Sequence, residues 1–294
     1  MDHQRPKRIL LIVFSGTGNT LLTAEMLRDH FGEKGAAADI LQIPPENKAV
    51  QLDSYDIIGL GYPVYAFNVP LIFLRFVEGL DLRNRETFIF KTSGEPTTFN
   101  RGSSSSLLKL LKRQNCSILG DYHFLMPYNI IFRFPDGLVK QMYLYARRYT
   151  ALAAVNILRG VPSFISFNLL HRIFSFVFRI QRFGAALNGR FYGIRKKQCT
   201  LCLLCLHRCP SKNISLKNNT LKFGFNCQMC MRCSFFCPAD AVTIGFLNLW
   251  RVNGAFPFEK LAADKKVKDN FISEKTRGFY RIFMPYFREL DRLL

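Results

Sequence analysis

No stretch of this 294-residue chain reaches the ~18 uncharged apolar residues that a membrane span needs. The nearest, VPSFISFNLLHRIFSFVFRIQRF at 161–183, is interrupted by His171, Arg172, Arg179 and Arg182. The opening MDHQRPKRILLIVFS lacks the small-residue cleavage site of a secretory leader, so a reducing compartment, the cytoplasm, is the expectation. There is no Gly-x-Ser-x-Gly elbow, and none of the five histidines (His3, His30, His123, His171, His207) sits in a ligand or nucleophile pattern, which argues against hydrolytic chemistry. Acidic residues are scarce in the second half. Residues 1–127 hold 14 Lys+Arg and 13 Asp+Glu, whereas residues 128–294 hold 27 and 8, so the formal charge of +20 is almost entirely C-terminal. That excess predicts attraction to an acidic protein partner or to anionic lipid heads. No nucleic-acid motif accompanies it, and nucleic acid is not an expected partner.

Cysteine is concentrated. Eight of the nine fall in two copies of Cys-x-x-Cys-x-x-Cys-x-x-x-Cys-Pro: Cys199, Cys202, Cys205, Cys209 with Pro210, then Cys227, Cys230, Cys233, Cys237 with Pro238, 28 residues later. Disulfide frameworks belong to small secreted domains. Zinc sites normally use separated Cys-x-x-Cys pairs that close a tetrahedron, with no place for a third cysteine at the same short interval. Three thiolates on a tight loop suit three corners of a cubane, and the spacing is that of the bacterial [4Fe-4S] run, whose fourth cysteine ligates the other cluster. The expected sets are therefore crossed: Cys199, Cys202, Cys205 and Cys237 for one cluster, Cys227, Cys230, Cys233 and Cys209 for the second. The repeat continues past the cysteines, making Ile214 and Val242 equivalent apolar plugs, and residues 196–244 resemble a two-cluster bacterial ferredoxin domain. Cys116 stands alone and reads as a core thiol.

The N-terminal part alternates strand and helix patterns. RILLIVF (8–14), AAADILQI (36–43), YDIIGLGYPVY (55–65), ETFIFKTSGE (86–95) and CSILGDYHFLMP (116–127) read as strands, with helices near 70–80 and 103–114. This predicts an α/β fold with a doubly wound parallel sheet of five strands, whose ligand site lies beyond the carboxyl ends of the strands. The first such loop is Ser15, Gly16, Thr17, Gly18, Asn19, Thr20. It lacks the Gly-Lys-Ser/Thr of a Walker loop, and Leu21 stands where a dinucleotide fingerprint has its third glycine. What remains is a cradle of backbone amides and hydroxyls at a helix N-terminus, suited to a phosphate without any Lys or Arg, or simply a capped helix.

FSGTGNT after the first strand resembles the phosphate loop of the flavodoxin family, whose ligand is FMN. That resemblance implies two further loops against the isoalloxazine ring: Pro63, Val64, Tyr65 and Ala66, with Tyr65 for stacking, and Ser93, Gly94, Glu95 and Pro96, through backbone groups. Tyr62 and Tyr65 could equally be core aromatics. As a whole, the chain resembles the flavodoxin-ferredoxin fusion proteins of anaerobic bacteria and archaea, over most of residues 1–244. The implied organisation is an FMN domain (1–127), a basic helical connector (128–195), a two-cluster domain (196–244) and a basic aromatic tail (245–294).

In the connector, Asn168, Arg172, Ser175, Arg179 and Arg182 recur at helical spacing on one face, with phenylalanines on the rest. Its arginines form either a docking surface or a solvated helix face. In the tail, Pro285 interrupts any single long helix. A flavin accepts two electrons together and a cluster carries one, so the expected function is electron transfer between FMN and two [4Fe-4S] clusters, to or from an external redox protein. Two alternatives stand beside it: a reductase of a quinone-type or enone-type small molecule fed by the clusters, and a non-enzymatic membrane-surface or complex subunit. No second glycine motif marks a nicotinamide site.

Overall fold

The computed structural model describes residues 5–44 and 51–294; His3 lies outside them. In chain order the elements are β1 (Arg8–Val13), α1 (Asn19–Glu33), β2 (Ala37–Gln42), β3 (Ile57–Pro63), α2 (Leu71–Glu78), β4 (Glu86–Ser93), α3 (Ser105–Arg113), β5 (Ser117–Leu125), α4 (Asp136–Leu158), β6 (Ser163–Phe164), α5 (Leu169–Val177), α6 (Gln181–Arg190), β7 (Tyr192–Ile194), α7 (Leu204–His207), β8 (Ile214–Lys217), β9 (Thr220–Phe223), α8 (Arg232–Phe235), β10 (Val242–Ile244), α9 (Phe258–Ala263) and α10 (Met284–Leu293).

The first five strands pair in parallel in the order β2-β1-β3-β4-β5, the flavodoxin-like order among doubly wound sheets. Their apolar runs are continuous because both faces are covered: β1, β3 and β4 are buried along nearly their whole length. The expected five-stranded sheet needs one correction. β6 adds a sixth strand, parallel to β5 through Gly120↔Ser163 and Asp121↔Phe164. Two residues are too few to show alternation, so this edge strand has no pattern to read.

On one face α1 and α4 bury Leu27, Phe31, Tyr149 and Ala153 against Phe88 and Phe90. On the other, α2 and α3 bury Phe73, Val77, Leu107 and Leu111 against Ile58, Leu60 and Ile89. Side chains of this size contribute about 1.5–3 kcal/mol each when fully buried, so these two layers dominate the cohesion of the sheet. The helical cover thus continues past residue 128, through α4. The tail wraps the outer side of α4. The Gln141 amide pairs with the backbone of Ile272 in both directions, at 3.1 and 2.7 Å, and the Tyr286 hydroxyl accepts from Leu125 N and donates to the His123 carbonyl, each at 3.0 Å. Pro285 sits in the first turn of α10, where its missing N–H costs nothing.

In the cysteine-rich part, β7 pairs antiparallel with β10 and β8 with β9. The 28-residue repeat is written into the backbone. Leu201, Leu203 and Lys212 have φ of 52°, 59° and 50°; Met229, Met231 and Asp240, each 28 residues on, have 48°, 60° and 49°. α7 and α8 follow the same offset. Among the described residues no helix is long and apolar enough to cross a membrane.

Candidate functional site

Gly18 caps α1 with φ 102° and ψ −26°, a left-handed conformation that glycine adopts without penalty. No side chain caps this helix, and no acidic residue occupies its first turn. The free amides and the helix dipole therefore point at whatever lies beyond the loop, a setting that favours an anion. Ser15 accepts from Gly18 N at 3.2 Å, and Asn129 donates to Thr17 Oγ1 at 3.3 Å. The Thr20 hydroxyl is engaged with Thr92 at 2.7 Å, so it is less free than the sequence suggests. Asn19 reaches away from the loop to the Pro127 carbonyl at 2.8 Å.

The carboxyl ends of β1, β3, β4 and β5 open on a cavity of about 860 Å³, within the range of ligand and cofactor sites. Of the residues singled out above, Ser15, Gly16, Thr17, Asn19, Thr20, Pro63, Val64, Tyr65, Ala66, Ser93, Gly94 and Glu95 line it, whereas Gly18 and Pro96 do not. The turn after β3 is strained, with Ala66 and Phe67 at φ 47° and 58°. It is pinned by Asn68, whose side-chain amide donates to the carbonyls of Ala66 and Ser175, both at 2.8 Å. In the loop after β4, Ser93 Oγ donates to the Glu95 carbonyl at 2.9 Å and lies 2.7 Å from His123 Nε2.

Tyr65 is half-buried at the cavity wall. It meets Phe14 edge-on, with centroids 6.2 Å apart and planes at 83°. Its hydroxyl is buried without a hydrogen-bond partner, and burial, followed by the Cys230 charge, holds its pKa well above the usual phenol range. Tyr128 is the aromatic that the sequence reading missed. A β-carbon on Gly94 would lie 2.2 Å from the Tyr128 ring, and its hydroxyl donates to Glu95 at 3.2 Å. Asn129, Arg182, Phe183, Met229 and Trp250 also line the cavity and were not anticipated as site residues. The signal for Tyr128 and Asn129 was their position directly after the fifth strand.

The cysteines fall into two groups. Cys199, Cys202, Cys205 and Cys237 line one small cavity of about 20 Å³. Cys209 is an electrostatic neighbour of Cys227, Cys230 and Cys233. In each run the last cysteine accepts from the amide four residues on, Asn213 to Cys209 and Ala241 to Cys237, both at 3.2 Å. Left-handed residues recur at alternate positions, 201 and 203 and again 229 and 231, the backbone alternation from which anion-binding concavities are built. Burial, ahead of the other causes, pushes Cys205 up to about 11 and Cys227 up to about 12, so thiolates here need a positive centre to exist at neutral pH. Among the described residues no three His, Cys, Asp or Glu converge closely enough to hold a single metal ion.

The two halves meet at the loop 15–20. Arg232, at the start of α8, donates from Nη2 to the Ser15 carbonyl and from Nε to the Gly16 carbonyl at 3.3 Å. Cys227, Gln228 and Met229 form part of the wall of the same cavity. A β-carbon on Gly189 of α6 would come 2.0 Å from Cys227 Cβ, so α6 closes against the second cysteine run from the other side.

No protein-family model matches the chain, and no curated protein matches it. Among solved structures it is similar to a flavodoxin of Streptococcus pneumoniae TIGR4, at 12% identity over 52% of this chain and 99% of that one, TM-score 0.39. It is similar to flavodoxin 1 of Bacillus cereus, at 14% identity over 52% and 98%, TM-score 0.37. It is also similar to the Megasphaera elsdenii flavodoxin, at 18% identity over 39% and 84%, TM-score 0.34.

Proposed function

We propose that this chain is an electron-transfer protein that binds FMN in the large cavity and two [4Fe-4S] clusters in the cysteine runs, and exchanges electrons with an external redox protein. The observation that carries this reading is the shared wall: one cavity is bordered by the anion-binding loop 15–20 and by Cys227 of the second cysteine run. FMN supplies a site that takes two electrons and releases them singly, which one-electron clusters can relay. The α1 amides and Thr17 would hold the phosphate, while the loops at 63–66 and 93–95, with Tyr128, would border the ring. Cys199, Cys202, Cys205 and Cys237 would hold one cluster, and Cys227, Cys230, Cys233 and Cys209 the other. Arg232 ties the second run to the loop by two hydrogen bonds, which fixes the separation of the two sites. The Tyr65 hydroxyl lies unpaired beside Gly16, a polar group open to a partner at that junction.

A second reading, a small-molecule reductase, is favoured by one feature. The cavity extends beyond the ring loops to Arg75, Arg182 and Phe183, leaving room for a further molecule.

Anaerobic purification followed by flavin and iron analysis tests the proposal. About eight irons and one FMN per chain are expected, from two four-thiolate sets and one cavity. FMN should bind more tightly than riboflavin, and Thr17→Val should weaken FMN about ten- to hundredfold, the range for a hydrogen bond to a charged oxygen. Equal affinity for both flavins would sink the phosphate site, and zinc in place of iron would sink the electron-transfer reading.

A further inference from the structure

The helical segment α5–α6 is inside out. Its polar stripe faces the protein. Ser175 is fully buried and its carbonyl accepts from Asn68, Arg179 donates to Ser106 Oγ at 2.8 Å, and Arg182 donates to the Val69 carbonyl at 3.3 Å. Arg179 and Arg182 therefore belong neither to a docking surface nor to a solvated face, the two roles their spacing suggests; Arg172 alone of the three is exposed. Of the segment's aromatic residues, Phe174 and Phe178 pack inward, against Phe67 at 4.8 and 4.9 Å. The rest of the apolar residues point to solvent: Leu170, Phe176, Ile180 and Phe183 are 72%, 66%, 70% and 79% exposed, and Leu169, Ile173, Val177 and Leu187 about half or more. The turn at 245–250 extends the patch, for Phe246 lies 4.6 Å from Phe191 and Leu249 is 96% exposed. A contiguous apolar surface of this size marks a partner or a membrane.

Charge decides between them. No acidic residue lies between Asp136 and Asp240. Arg172 and Arg190 flank the apolar stripe in solvent, and neither has an ion-pair partner among the described residues. Leu and Phe on an exposed face with arginines at its margin, and a tryptophan beside them, is the make-up of a helix that lies in a bilayer interface. We infer that α5–α6 and the 245–250 turn dock this protein on an anionic membrane surface. No transmembrane helix is required, since the apolar face inserts only as far as the headgroup boundary. Phe183 and Trp250 belong both to the exposed patch and to the cavity wall, so docking turns the mouth of the cavity toward the lipid.

Flotation of the full-length purified protein tests this, using vesicles of phosphatidylcholine alone and of phosphatidylcholine mixed with phosphatidylglycerol. The protein should rise with the anionic vesicles and much less with the neutral ones. The triple variant Leu170→Ser, Phe176→Ser, Ile180→Ser, none of which lines the cavity, should bind anionic vesicles ~100-fold more weakly or worse, with flavin and iron content unchanged. The second measurement needs no variant: Trp250, the single tryptophan of the chain and 54% exposed, should be quenched by brominated lipid in anionic vesicles. Flotation of wild type and triple variant alike, absence of quenching, or a dimer that the triple variant dissociates while vesicle binding stays nil would each overturn the proposal. The last would assign the face to a second copy of the chain. These readouts use neither electron transfer nor turnover, so their failure leaves the cofactor proposal standing.

Discussion

A β-carbon placed on Gly16 would lie 2.3 Å from the carbonyl oxygen of Cys230 and 2.4 Å from the Tyr65 hydroxyl. The loop 15–20 and the second cysteine run are thus in backbone contact, and the absence of a side chain at one position is what allows it. Gly18, two residues on, has nothing within 4 Å but holds φ 102°. The same loop uses one glycine for space and the other for conformation.

Substitution separates the two roles. Gly16→Ala must push the Cys230 segment away, so electron transfer between flavin and clusters should slow while the strands and the iron content stay intact. Gly18→Ala meets no atom but forces a left-handed residue, at about 1–2 kcal/mol, so it should weaken FMN binding roughly five- to thirtyfold and leave interdomain transfer in the bound fraction unchanged. Stopped-flow reduction and flavin titration distinguish them. Equal effects of both variants on both measurements would mean that the contact has no separate role.

The cysteine grouping gives a second prediction. Cys209 neighbours Cys227, Cys230 and Cys233, although it lies at the end of the other run. Cys209→Ala should therefore disturb the cluster of the second run and spare the one held by Cys199, Cys202, Cys205 and Cys237. Electron paramagnetic resonance of the reduced variant reads which signal survives; loss of the first-run signal instead would refute the crossed sets.

Much of this was legible in the chain itself, for identifiable reasons. Buried runs such as Ile9–Val13 and Ile57–Tyr62 mark strands because both faces of a parallel sheet are covered, and the 28-residue cysteine repeat marks its own symmetry. Arg232 was not legible, because it acts through a contact with a residue distant in sequence, Ser15; Tyr128 had only its place after the fifth strand to mark it, and its contact with Gly94 came from the fold. The orientation of α5 was beyond sequence reading for another reason. Periodicity divides a helix into a polar and an apolar face, and only the tertiary packing of Ser175 and Arg179 decides which of them turns outward.

His123 supplies a pH prediction. It is 8% exposed, and burial, followed by the nearby charges of Lys91 and Arg101, depresses its pKa to about 3 from 6.5. In the unfolded chain it takes up a proton near pH 6.5; in the fold it resists protonation until about pH 3. Stability is therefore complete above 6.5 and is lost as pH falls from there toward 3, at up to about 1.4 kcal/mol per pH unit. His123→Gln keeps a partner for Ser93 and removes the titration, so its unfolding free energy should fall less steeply than wild type between pH 6.5 and 5. Parallel slopes in urea titrations would show that the imidazole does not carry the acid sensitivity.

Beneath the loop that borders the cavity, Lys91 is fully buried, with Nζ 3.0 Å from Asp121 Oδ2 and 2.7 Å from Ser104 Oγ. Asp121 Oδ1 has no partner. Removing one member strands the other charge in the sheet, so Lys91→Met should cost about 3–5 kcal/mol, whereas replacing a buried pair by apolar residues is often neutral or stabilising by about 1–4 kcal/mol. The double variant Lys91→Met, Asp121→Leu should thus recover most or all of the loss, and a urea-unfolding cycle over the four proteins measures the coupling. If the pair served only cohesion, the double variant should retain FMN as well as wild type does. A double variant as stable as wild type but unable to hold flavin would show instead that the ammonium, two residues below Ser93, organises the ring loop.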